Sequence, residues 1–169
     1  MGLQMEWERQ WQKGVDAVRA GFIALPEPEL ERLRALARAM VELKERMQDV
    51  AARVDAAAHC AGCGGACCVS GRYHFTAADL LVYLATGRPL FTPRFDSGLC
   101  PYLGEPHCLI PVGYRPFNCI TFNCEIIEDR LSPDELSRFY LLERELRQAY
   151  REIRSLFPDR SMDGSLLRE

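Results

Sequence analysis

No stretch of this 169-residue chain approaches the run of about 18 apolar residues that a membrane span requires, so a membrane-spanning protein is excluded. Surplus positive charge is missing too. With 21 basic against 24 acidic side chains and a net charge of −3, little is available to neutralise a phosphate backbone, and no nucleic-acid partner is expected. Met1 to Arg9 lacks the basic-then-apolar layout of a signal peptide, and Glu6 stands where myristoylation needs Ser or Thr. A reducing, cytoplasmic location is the expectation. Cysteine and histidine are absent outside residues 59–124. Inside that stretch lie all eight cysteines, all three histidines, eight of the twelve glycines and six of the ten prolines. Thiols gathered this way in a reducing compartment point to metal ligation or redox chemistry rather than to disulfides.

The flanks read as helices. Trp7, Trp11, Val15, Val18 and Phe22 share one helical face, which predicts a first helix over about residues 4–21. Gly21 and Pro26-Glu27-Pro28 interrupt it, and Glu27, Glu29 and Glu31 suit the positive end of a second helix. From there Leu33, Met40, Met47 and Val54 alternate with Leu36, Leu43, Val50 and Ala57 in an a/d pattern that no breaker interrupts before Cys60. Ser132 and Pro133 open a last helix carrying Leu136, Phe139, Leu142, Leu146, Ala149, Ile153 and Leu156, which stops at Phe157-Pro158. The two long amphipathic helices are most simply paired antiparallel, although the heptad stripe also suits a homodimer or a protein partner. In the middle, Thr76-Ala77-Ala78-Asp79 opens a short helix as a capping box, closed by Gly87 and Pro89. The expected fold class is mainly α, with long helices packed around an irregular cysteine-rich segment. The expected organisation is a single domain with N-terminal helices over 1–58, a cysteine cluster over 59–125, a C-terminal helix over 126–158, and a polar, frayed tail over 159–169.

Within the cluster, Cys60-Ala61-Gly62-Cys63 is a C-x-x-C pair, whose spacing lets two sulfurs converge on one ion. Cys67 and Cys68 follow after two glycines, and being adjacent they point in different directions. One of them therefore serves a second centre or only packs. Cys100, Cys108, Cys119 and Cys124 arrive singly. Zinc sites usually pair two C-x-x-C knuckles, whereas iron–sulfur clusters accept thiolates from separate loops, so one knuckle with scattered thiols tilts towards iron–sulfur over zinc. Charge tilts the same way: residues 59–124 carry four arginines against Asp79, Asp96 and Glu105, and four thiolates on a 4Fe–4S core leave less negative charge to bury than eight on two zinc ions.

The string Cys60-x-x-Cys63-x-x-x-Cys67-Cys68, Thr76 with Asp79, Gly98-Leu99-Cys100-Pro101-Tyr102-Leu103, Cys108 and Arg115-Pro116-Phe117-Asn118-Cys119 resembles the bacterial cysteine-cluster family of zinc- or iron-chelating domains. That family is similar in turn to the cysteine-rich part of flagellin lysine N-methylases, where the resemblance implies an iron–sulfur cluster. The likeness covers about residues 60–124 and departs from the usual pattern at Pro111 and Ile120.

Other readings stand beside the metal. Buried, inert thiols are the bland alternative. His59, His74 and His107 could each replace a thiolate, yet a lone histidine is more often solvated or in the core. Arg115 either offsets thiolate charge or flanks a turn. Gly62-Cys63-Gly64-Gly65 lacks the lysine and strand of a phosphate loop, and Met40 with Met47 falls at core positions. The expected function is a cysteine-ligated metal protein. A cluster-dependent enzyme, with Cys68 or Cys124 as nucleophile, and a zinc-stapled helical interaction module are the alternatives.

Overall fold

The structure, a computed structural model, describes residues 2–62, 66–96, 99–104, 108–121 and 123–168, and of residues 61 and 66–69 the backbone alone. Seven α-helices are described: α1 (Gly2–Ile23), α2 (Glu27–Ala52), α3 (Ala56–Gly62), α4 (Ala77–Thr86), α5 (Phe117–Thr121), α6 (Glu125–Glu128) and α7 (Pro133–Ser155). A 3-10 helix over Ala66–Tyr73 joins α3 to α4. Among the described residues there is no strand beyond two isolated bridges, and no helix is long and apolar enough to cross a membrane. The mainly α expectation holds.

The long helix α2 is the central rod because its apolar stripe is wide. Leu33, Ala37, Met40, Leu43, Met47 and Val50 are all buried, covered by α7, α4 and the turn at Val112–Tyr114. Ion pairs at both ends show that α2 and α7 run antiparallel: Arg32 meets Glu152 and Arg53 meets Glu135, each at 3.3 Å. Pro26 precedes α2 with φ −60°, and Glu27 and Glu29 occupy its first turn, where the helix dipole favours negative charge. Both capping boxes form. Thr76 Oγ1 accepts from the Asp79 amide at 3.3 Å while Asp79 Oδ2 accepts from the Thr76 amide at 2.8 Å. Ser132 and Glu135 reciprocate at 3.3 and 3.0 Å. Gly87, at φ 68°, closes α4 in the left-handed region that glycine enters without cost from a Cβ.

Two expectations are corrected. The heptad helix does not run unbroken to Cys60. Arg53, Val54 and Asp55 tighten into bonds to residues three back, and Asp55 turns left-handed at φ 54° before α3 begins. The last heptad offers only Val54, half-buried, and Ala57, exposed, so the stripe fades; the bend instead lets Ala51 and Ala56 close on Ile127 in a small second core. The tail does not fray either. Met162, Leu166 and Leu167 are buried, the Leu166 amide donates to the Phe75 carbonyl at 3.0 Å, and the Ala77 amide donates to the Gly164 carbonyl at 3.1 Å. Gly14 and Gly21 of α1 make room for it, Leu166 lying 3.1 Å and Met162 2.2 Å from where a Cβ would stand.

The irregular middle has an apolar anchor of its own. Trp11, Phe75, Phe91 and Tyr102 are in mutual ring contact with centroids 5.4–5.9 Å apart, and Tyr83 joins Phe75 and Phe91. This box ties the loop carrying Phe91 and Tyr102 to α1 and α4. Ordering of the middle therefore does not depend on cross-linking alone.

Candidate metal centre and adjacent cleft

The 3-10 helix that carries Cys67 and Cys68 lies beside two of the later cysteines. At its far end Gly71 packs so closely on Cys100 that an added Cβ would stand 2.7 Å from Sγ. One residue past the helix, His74 Nδ1 lies 3.4 Å from Cys119 Sγ on α5. Cys100 is buried in the main core, and its thiol is pushed up by burial, against which the Tyr102 amide pulls it down and the neighbouring Cys108 raises it further. Cys108 is half-buried and bridged through its backbone to Leu103. Cys60 is exposed on α3. Cys124 caps α6 and packs on the Ala51, Ala56 and Ile127 cluster, apart from Cys100. Cys63 and His107 fall outside the described residues, as do the side chains of Cys67 and Cys68. Among the described residues no three Cys, His, Asp or Glu side chains are arranged to hold a metal ion. Arg115 donates from Nε to the Ile110 carbonyl at 3.3 Å, bracing its own turn.

The donor set fits a sulfur-bound centre in kind. The thiols of Cys100, Cys108 and Cys124 stand outside any disulfide, and the segment that follows Cys67 and Cys68 meets Cys100 at Gly71 and Cys119 at His74. His74 touches Cys119. Burial lowers its imidazole, while Asp79 acts in the other direction.

Sequence reasoning missed a second constellation. Lys44, one of only two lysines in the chain, is fully buried with Nζ 3.6 Å from Asp79 Oδ1. Asp79 also accepts from Thr76 Oγ1 at 2.7 Å and from the Tyr150 hydroxyl. Desolvation drives the Lys44 pKa down, with Asp79 and Cys119 opposing. Tyr150 is held well above its ordinary value, first by burial and then by Asp79. The signal was there to read: Lys44 follows the d-position Leu43 and stands between Met40 and Met47, on the face α2 turns inwards.

Tyr150 forms one wall of a cleft of about 260 Å³, whose polar lining includes His74, Asn118, Arg147, Arg151 and Arg154. Compared with known protein families, curated proteins and solved structures, the chain finds no match.

Proposed function

We propose that this chain is a metal-binding protein of a reducing compartment, whose cysteines hold an iron–sulfur cluster in preference to zinc, drawn from Cys60, Cys63, Cys67, Cys68, Cys100, Cys108, Cys119 and Cys124. The observation that supports this reading is the approach of separate chain segments to the cysteine-bearing 3-10 helix: Cys100 against Gly71, and Cys119 against His74. Loops contributing single thiols suit a cluster, which is larger than one ion and accepts ligands from distant positions. Such a centre would cross-link the segments that the aromatic box leaves outside. The resemblance to the cysteine-cluster family supports the same assignment.

Anaerobic purification followed by iron, zinc and acid-labile sulfide analysis tests it. Brown protein with iron, sulfide and broad absorption near about 400 nm is the expected result for a cysteine-bound cluster. Stoichiometric zinc in colourless protein would overturn the iron–sulfur assignment. Absence of both, with all eight thiols titrating in the folded protein, would overturn metal binding altogether. Cys63→Ser should lower the metal content while α4 and the aromatic box stay folded, since Trp11, Phe75, Phe91 and Tyr102 contact one another directly.

A further inference from the structure

Arg147, Arg151 and Arg154 recur on α7 at spacings of four and three, so they project from one face of the helix. All three line the cleft whose opposite side carries His74, Thr76 and Asn118. Among the described residues no carboxylate lines it. The nearby acids are engaged elsewhere: Glu143 pairs with Arg147 at 2.6 Å, and Asp79 is buried behind Tyr150 with Lys44. Asp159 and Asp163 sit in a neighbouring depression that Arg151 and Arg154 also border, where Asp163 pairs with Arg160 at 3.1 Å. Arg151 and Arg154 thus line the cleft without an ion pair within 4.0 Å among the described residues. Arg154 Nε is buried without a hydrogen-bond partner, a donor that the protein itself leaves unsatisfied. Aromatic rings seat the guanidinium groups: Arg147 lies 4.8 Å over Phe117 and Arg154 5.8 Å over Tyr150. Stacking fixes the plane and leaves the N–H edges available.

We infer that this cleft binds the phosphoryl group of a small phosphorylated molecule, with Arg151 and Arg154 as its principal anchors. Guanidinium forks match phosphoryl oxygens in pairs, and two cations suit a dianion better than a single carboxylate. The volume sets the size. At about 260 Å³ the cleft lies below the usual range of about 300–1,000 Å³ for drug-sized ligands, which leaves room for a phosphoryl group on a short organic stem. Phe117 and Tyr150 give that stem an apolar wall. Among the described residues no cysteine lines the cleft, although His74 on its wall touches Cys119; the arginine anchors on α7 carry the site, and their substitution leaves every cysteine in place.

Calorimetric titration of the full chain at low salt with glycerol 3-phosphate, inorganic phosphate and succinate tests the inference. Tighter binding of glycerol 3-phosphate than of phosphate assigns a group carried on a small molecule. Equal binding of the two assigns free phosphate as the natural occupant. Arg151→Gln, at an exposed position, should weaken binding roughly tenfold or more, equivalent to about 1.4 kcal/mol. Arg144→Gln, on the same helix but outside the cleft, should leave it unchanged. Absence of binding by either phosphate compound, succinate binding as tightly, or equal losses in the two variants would each overturn the assignment.

Discussion

Replacing Lys44 by Met separates the contribution of the buried cation from that of its carboxylate partner. Lys44 Nζ stands 3.6 Å from Asp79 Oδ1, with both side chains at zero exposure, and has no hydrogen-bond partner. Its other neighbour is the face of Tyr150, 5.2 Å from Nζ to the ring centroid. Asp79 is better satisfied, accepting from the Thr76 amide, Thr76 Oγ1 and the Tyr150 hydroxyl. Methionine fills the space of the lysine stem and removes a costly buried ammonium, while the carboxylate keeps its three donors. The expected cost is about 1–2 kcal/mol, below the 3–5 kcal/mol or so typical of breaking a buried pair. Asp79→Asn strands the ammonium and weakens the capping box, so it should cost the full 3–5 kcal/mol or so plus about 1 kcal/mol for the cap. In the double variant no stranded cation remains, and it should be more stable than Asp79→Asn alone by about 2 kcal/mol. Urea unfolding followed by circular dichroism reads all three, provided the slope with denaturant stays constant. Equal losses for Lys44→Met and Asp79→Asn, or a double variant at the sum of the singles, would refute the reasoning.

Burial holds Tyr83, Tyr102 and Tyr150 above the ordinary phenol pKa of 10, so above pH 10 the unfolded chain loses protons that the fold retains. Stability should be unaffected by these groups below pH 10 and fall beyond it by up to about 1.4 kcal/mol per pH unit for each tyrosine. Lys44, lowered from 10.5 by desolvation, has the opposite sign just below that pH, so the decline steepens once it is passed. Tyr102→Phe should reduce the slope of stability against pH by about a third; an unchanged slope would show that Tyr102 does not contribute. Gly71→Ala should destabilise by about 1–3 kcal/mol through overpacking on Cys100, read by urea unfolding, and an unchanged midpoint would show that Cys100 gives way. Leu167→Ala, at a position with no exposure, should cost about 2–4 kcal/mol and speed hydrogen exchange at the Leu166 amide, whereas a frayed tail would show neither.

The long helices, α4 and the two capping boxes were legible because their causes are local. Thr76 with Asp79 and Ser132 with Glu135 satisfy amides three residues away, and the stripes of α2 and α7 repeat within a few turns. Lys44 marked a non-apolar position on the inward face of α2, yet its partner lies on α4 and the ring above it on α7, and periodicity does not report which residues meet across elements. The bend at Asp55 was hidden for a related reason: aspartate enters the left-handed region at modest cost, and the packing that accompanies the bend, Ala51 and Ala56 on Ile127, is distant in sequence. The docked tail and the arginine cleft were likewise decided in three dimensions. Leu166 and Leu167 are two apolar residues in a polar segment until Gly14 and Phe75 receive them. Arg147, Arg151 and Arg154 read as an ordinary solvated face until His74 and Asn118 arrive from the other side. Sequence alone determined the three long helices, the capped helix α4 and where thiols are concentrated, because backbone capping and hydrophobic spacing act over one or two turns; the short helices α3, α5 and α6 and the 3-10 helix over Ala66–Tyr73 carry too few residues to show a period. Only the tertiary structure decided which side chains share a buried environment, because burial and electrostatic pairing depend on distances between residues far apart along the chain.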